Sequence, residues 1–415
     1  MDPFTRLPPE LIAEFILDVA DFSAAQNIIL ASPRVQAVFQ AQPTIIHQLV
    51  WLDSMTSLPE IRKLCLNISL IETSLVQFNS FDDYQEYYNK MQGVEYTEEL
   101  SSYILHLGAR TQRLACACLA LIQENLVSAL SKCEDPADAI PASDRVRAAR
   151  KPFSFIEEYR VYSSIWHLQH HSALRKAATG HWQWDEPSLA KLEKYDTWDT
   201  FSRKSATETI WTVAALLSDL GLTPTYGHYR FQHEQEHLAQ DPEGQESSRG
   251  SWTFPPETPL PFFASFEPLQ GLPSLRAMQV WPWTWTWPPP PPPPKTPGTK
   301  TWHLTAEHRT SPPRQCSLFF YASVPIGRYE PPVSRALTDL RPWRRLGLPV
   351  FDLWRMHLLG LWEFRGAPGR VVPTSDGGFL EVLPLHGEAR ARRAEVDYTA
   401  RLLALVGVSC ERSGG

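Results

Sequence analysis

The sequence predicts a mainly α fold: an N-terminal unit of three short helices, then an irregular helical domain interrupted by a proline-rich, disordered insertion. Three observations predict it. Apolar residues recur at helical spacing in several separate stretches, from Leu11, Ile12, Phe15, Ile16 and Val19 to a long run over Glu98 to Leu130. Helix-start signals stand before many of these stretches, as in Pro8-Pro9-Glu10, Ser32-Pro33, and Ser154 three residues before Glu157. From about 239 to 315, Pro, Gly, Ser, Gln and Glu dominate, which favours exposed polyproline II backbone over helix.

The first helix opens at Pro8-Pro9-Glu10, where fixed φ angles and a carboxylate suit a helix N-terminus. Its apolar positions imply one buried face. Ser23, three residues before Gln26, has the spacing of a capping box for a second helix carrying Ile28, Ile29 and Leu30. Ser32 as N-cap and Pro33 at the first helical position open a third, with Val35, Val38 and Phe39. Three helices therefore fit between residues 7 and 42, and Pro43-Thr44 restarts a fourth with Ile45, Ile46, Leu49, Val50 and Leu52.

Leu7-Pro8-Pro9-Glu10-Leu11 followed by Phe15 and Val19 resembles the opening of the F-box family, Leu-Pro-x-Glu-Leu followed by apolar residues at helical spacing. Ala31-Ser32-Pro33-Arg34-Val35-Gln36-Ala37-Val38-Phe39 resembles the Ala-Ser-Pro segment of its fungal members, with Val35 where many of them have Trp. The resemblance covers about a tenth of the chain. It implies three helices that pack on the Skp adaptor subunit of a cullin ubiquitin ligase, with Leu7, Pro8, Glu10, Leu11, Phe15 and Val19 as the adaptor-binding residues or the core beside them.

Glu98 to Leu130 is expected to form one long helix or two in line, with a core stripe of Leu100, Ile104, Leu107, Leu114, Cys118, Leu121, Ile122 and Leu126. A loop over 134 to 144 ends it. Ser154 and Glu157 form a capping box for a helix running to Lys176. Ser154-x-x-Glu157-x-Tyr159-Arg160, continued by Ile165-Trp166-x-Leu168-Gln169, resembles a segment that follows the F-box in uncharacterised fungal proteins, with Ser163 and His167 where those carry Arg. Ala206 to Leu220 is a further helix, stopped by Gly221 as a left-handed cap and by Pro224. Order is expected to return at Cys316, with an aromatic-rich segment from Leu340 to Leu361 that packs back on the earlier helices, and a terminal helix over Glu388 to Val406. The domain expectation is an F-box over 1–50, a helical domain over 51–239, a flexible insertion over 240–315 and a C-terminal part over 316–410 that completes the helical domain.

Composition narrows the function classes. At 415 residues and 43% hydrophobic content the chain buries a sizeable core without metal or disulfide staples. With 39 basic and 46 acidic residues it has a formal charge of −7 and no basic block that tracks a phosphate backbone, which argues against nucleic acid as a partner. The start lacks the basic flank and apolar run of a secretory signal. The longest uninterrupted apolar stretch, Leu114 to Ile122, falls well short of the roughly 20 residues of a membrane span. Six cysteines without a C-x-x-C pair suit reduced core positions and a cytosolic or nuclear protein.

Three motifs invite chemistry. His233-Glu234-Gln235-Glu236-His237 matches the H-E-x-x-H zinc-hydrolase pattern, but its neighbours do not make the apolar helix that buries such a site. A solvated helix end is the reading preferred here. His167, His170 and His171 share one helix without a common face and are expected to form a surface cluster rather than a metal site. Trp281, Trp283, Trp285 and Trp287 would offer a platform for stacking sugars or unpaired bases, but docking of the adjacent proline run 288–294 to an SH3, WW or profilin module is the better reading. No nucleophile with its base, P-loop or dinucleotide fingerprint stands out, and no cofactor is expected. The function expected is a non-enzymatic substrate-recognition adaptor of a Skp-cullin-F-box ligase with an unknown client. The alternatives are an interaction scaffold using the proline run and, more remotely, a zinc hydrolase.

Overall fold

The computed structural model describes residues 2–19, 21–53, 56, 58–91, 94–132, 141–194, 203–222, 262–266, 344–351, 355, 359, 370–373 and 379–382. Their architecture is mainly α, as the sequence predicts: eleven helices and one short strand pair. The N-terminal unit is built from α1 (Pro9–Asp18), α2 (Phe22–Ala31), α3 (Pro33–Ala41) and α4 (Thr44–Leu52), preceded by a 3-10 turn at Pro3–Arg6. Pro9 and Pro33 occupy first helical turns, where a missing N–H costs nothing. Ser32 caps α3 as expected, its Oγ accepting from the Val35 N–H at 3.1 Å.

The capping box expected at Ser23 does not form. Asp21 caps α2 instead, accepting from the Ala24 N–H at 2.7 Å, and Ser23 lies inside the helix with its N–H donating to Gln112 Oε1 at 2.8 Å. A carboxylate two residues earlier outcompetes the hydroxyl, and Gln26 is turned inward toward Arg113 and His106.

The N-terminal unit is fused to the rest by α2 against α7 (Glu98–Lys132). Phe22 is fully buried, and its ring lies where a Cβ on Gly108 would sit, 2.6 Å from Phe22 Cγ. A polar chain reinforces the joint: Gln112 Nε2 donates to Asp53 at 2.9 Å, Asp53 accepts from the Thr56 N–H, and the Thr56 hydroxyl meets Tyr162 Oη at 2.9 Å.

The stretch read as one long helix or two in line forms a single helix, α7, and residues 114–120 on it are buried on every side. By length and composition α7 is apolar enough to cross a membrane. More than half of its most apolar stretch is buried within the protein, where α2, α5 (Pro59–Glu72) and α9 (Phe155–Thr179) pack around it. The apolar count that stopped at nine residues missed this, because scattered polar residues such as Thr111 and Gln112 are themselves buried.

Between α5 and α7 lies α6 (Phe81–Lys90), and α8 (Ala142–Ala149) occupies residues at the end of the expected 134–144 loop. The capping box of α9 forms as expected, Ser154 Oγ and the Glu157 carboxylate exchanging bonds with each other's backbone amides. After α10 (Glu186–Lys194), α11 (Arg203–Asp219) ends at Gly221, whose φ of 90° allows the Leu222 N–H to close on Leu217 O at 3.0 Å.

Residues 344–351, 355 and 359 pack back on the helices. Gly347, at φ 71°, brings the backbone so close to Ile122 that a side chain there would collide, and a 3-10 turn follows at Leu348–Val350. Arg160 of α9 donates to the carbonyls of Val350 and Phe351 at 2.9 and 2.7 Å. Arg355 forks onto Glu157 at 2.8 and 3.0 Å, both side chains buried. One apolar core runs from Ile12 through α7 and α9 to Leu359. Two four-residue strands, β1 (Arg370–Pro373) and β2 (Phe379–Val382), pair antiparallel where the sequence reading assigned no element.

Candidate functional site

The α1 surface is shaped by what precedes it. Asp2 Oδ1 accepts from the Phe4 N–H at 2.9 Å, and Oδ2 accepts from the Ser32 hydroxyl at 2.6 Å, so the first turn is tied to the start of α3. The Ser32 bond, then the Phe4 amide, hold the Asp2 carboxyl below its usual range. The Phe4 ring then rests 5.5 Å from that of Phe15.

The apolar residues of α1 divide into two faces rather than forming the one buried face the spacing implied. Ile12 and Ile16 are fully buried. Leu11 and Phe15, one position earlier in each turn, are 48% and 43% exposed, and Leu7 just before the helix is 37% exposed. Spaced four residues apart, Leu7, Leu11 and Phe15 line one side of the helix, flanked by exposed Pro8, Glu10 and Glu14. Val19 is half-buried at the helix end. Covering the exposed parts of three such side chains supplies on the order of 3 kcal/mol to an association. The sequence reading thus names residues that the structure brings to one surface, except that Val19 sits at its edge.

Val35, which stands where many F-box members have Trp, is completely buried. Other exposed apolar residues lie on α2 and α4. Leu30 is 66% exposed, and Trp51 and Leu52 are each 52% exposed. Trp51 Nε1 donates to His47 Nε2 at 3.0 Å, and the Arg62 guanidinium lies 3.5 Å from its ring centroid. Sequence reasoning passed over Trp51 because its neighbours Leu49 and Val50 belong to the buried face of the same helix.

The histidines of α9 are not a surface cluster. His167, His170 and His171 are all buried, and desolvation drives the first two down to about 3, so they are neutral. His170 Nε2 meets Tyr84 Oη at 2.6 Å and Asn67 Nδ2 at 2.7 Å, and the ring stacks on Tyr88. These partners lie about a hundred positions away in sequence, on α5 and α6. Among the described residues no group of three or more His, Cys, Asp or Glu side chains is arranged to hold a metal ion. Cys65, Cys116 and Cys118 are buried free thiols, all pushed up by burial.

The H-E-x-x-H match at 233–237, the Trp array, the proline run 288–294 and the expected helix over 388–406 lie outside the described residues. Within the expected insertion over 240–315, residues 262–266 depart from the reading: Phe263 and Phe266 are buried, at 2% and 6% exposure. Comparison of the chain with family models, with curated proteins and with solved structures gave no match.

Proposed function

We propose that this chain is a non-enzymatic adaptor of the fungal F-box type, docking a Skp subunit through α1 and its approach, and presenting an unknown client to a cullin ubiquitin ligase in the cytoplasm or nucleus. The observation that carries the reading is the line of Leu7, Leu11 and Phe15. Leu11 and Phe15, with Leu7 just before the helix, expose apolar surface beside an adjoining face that Ile12 and Ile16 lock into the core. A helix that needed only to pack would turn its larger apolar side chains inward. One that keeps a Phe and two Leu in water is fitted for a partner. The residues on that line are those the F-box resemblance implies for docking. Buried Val35 makes that position a core residue in this chain, so docking rests on α1 and not on a Trp in α3.

Co-expression with a fungal Skp subunit tests the reading. The wild-type chain should co-purify stoichiometrically, and Leu11→Asp or Phe15→Asp should abolish the complex. Because both positions face solvent, the variants should keep their fold. Co-purification that persists in both variants would defeat the assignment.

A further inference from the structure

We infer that the docking face extends past α1 onto the turn at Pro3–Arg6, with Phe4 as a further contact for the Skp subunit and Asp2 as the residue that positions it; the inference rests on the adaptor reading above. Both residues stand before the Leu7-Pro8 opening that the resemblance covers. The Phe4 ring is half-buried and lies 5.5 Å from that of Phe15, tilted by 53°. It therefore adds a fourth apolar side chain to the set of Leu7, Leu11 and Phe15, at the place where Phe15 stands exposed.

The turn is held by more bonds than its burial explains. None of its four residues is buried. Yet Asp2 Oδ1 caps it by accepting from the Phe4 N–H, and the Asp2 carbonyl accepts from the Thr5 hydroxyl at 2.7 Å and the Thr5 N–H at 3.3 Å. The Leu7 N–H closes it on Phe4 O at 3.1 Å. Asp2 Oδ2 then ties the turn to α3 through the Ser32 hydroxyl and, at 3.4 Å, the Arg34 N–H. A short exposed segment outside a helix ordinarily frays, because fixing its backbone costs conformational entropy that little burial offsets. Here the ordering is complete before any partner arrives. A surface ordered in the free protein binds without that cost, which serves a docking site and adds nothing to a core. Asp2 itself is turned toward α3, so it acts on the partner through Phe4.

The test is titration calorimetry of the full chain against a purified fungal Skp subunit, with Phe4→Ala, Asp2→Ala and the two combined. Phe4→Ala should weaken binding about tenfold, the loss typical of an aromatic contact at an interface. Asp2→Ala should do likewise, because a turn ordered about a tenth of the time lowers apparent affinity by that fraction. The combined variant should bind as weakly as Phe4→Ala alone, since Asp2 acts by placing that ring. Melting temperatures should stay within about 2 °C of the wild type, which a residue that merely braces the fold would not allow. Equal affinity in the wild type and either single variant overturns the inference, as do losses that add in the combined variant or a melting temperature that falls further. A wild-type chain that does not bind the Skp subunit overturns the adaptor reading and the inference with it. Binding that is lost in Leu11→Asp but untouched in Asp2→Ala leaves that reading standing and removes the inference alone.

Discussion

Arg355→Met tests the joint between α9 and Arg355. Arg355 and Glu157 are 5% and 0% exposed, and the guanidinium donates to both carboxylate oxygens and to Pro152 O at 2.8 Å while lying 4.5 Å over the Phe153 ring. Removing it leaves a buried carboxylate without its cation, a change that costs about 3–5 kcal/mol in such pairs. Glu157→Gln should cost a similar amount, because that carboxylate also accepts the Ser154 N–H at 2.8 Å in the capping box. Replacing both, as Glu157→Leu with Arg355→Met, should recover most of the loss, since apolar residues of similar volume do not need each other's charge. Urea unfolding of the full chain measures all three. Single variants that each cost less than about 1 kcal/mol, and that add in the double, would show a pair no stronger than a surface bridge and refute the reasoning.

Stability should peak near pH 6.5. His167 and His170 take protons in the unfolded chain below about 6.5 but in the folded chain only near 3, so their contribution is lost as pH falls through that window. Glu158 behaves oppositely: burial, then repulsion from Glu157, push it up to about 8, and its contribution, full below its unfolded value, is lost as pH rises from there to 8. Thermal melts from pH 4 to 9 check both limbs, and Glu158→Gln should flatten the alkaline one. Gly108→Val should cost about 1–3 kcal/mol by driving the Phe22 ring off α7, and Phe22→Ala introduced alongside it should give a smaller loss than the two single effects added together, as denaturation midpoints will show. Ser32→Ala should cost about 1 kcal/mol, read from the same midpoints, because Ser32 caps α3 and also donates to Asp2.

Local signals were legible where they are strong and compete with nothing. Pro9, Pro33, the Ser154–Glu157 box and Gly221 each stand at the helix end that the structure has. The Ser23 reading failed because Ser-x-x-Gln is permissive and Asp21, just upstream, is the better acceptor. The histidines of α9 were misplaced for a different reason. Three polar residues on a helix suggest water, but α9 is wrapped by α5, α7, α11 and the Leu348–Val350 turn, and the groups that meet His170 Nε2 come from Asn67 and Tyr84. Such pairings are set by tertiary packing and leave no local trace. The candidate site was half legible. Sequence spacing picks out Leu11, Ile12, Phe15 and Ile16 alike, and only packing against α2, α3 and α4 decides that the two isoleucines go inside and that Leu11 and Phe15 stay outside. Likewise, composition placed residues 262–266 in an exposed insertion, while Phe263 and Phe266 are buried against the helices.

The most direct test of the adaptor reading is titration calorimetry of the full chain against a purified fungal Skp subunit. The account predicts a one-to-one complex formed by the wild type, and loss of measurable binding in Leu11→Asp and Phe15→Asp at unchanged melting temperature. An absence of heat with the wild-type chain, or equal affinity in all three proteins, would contradict it.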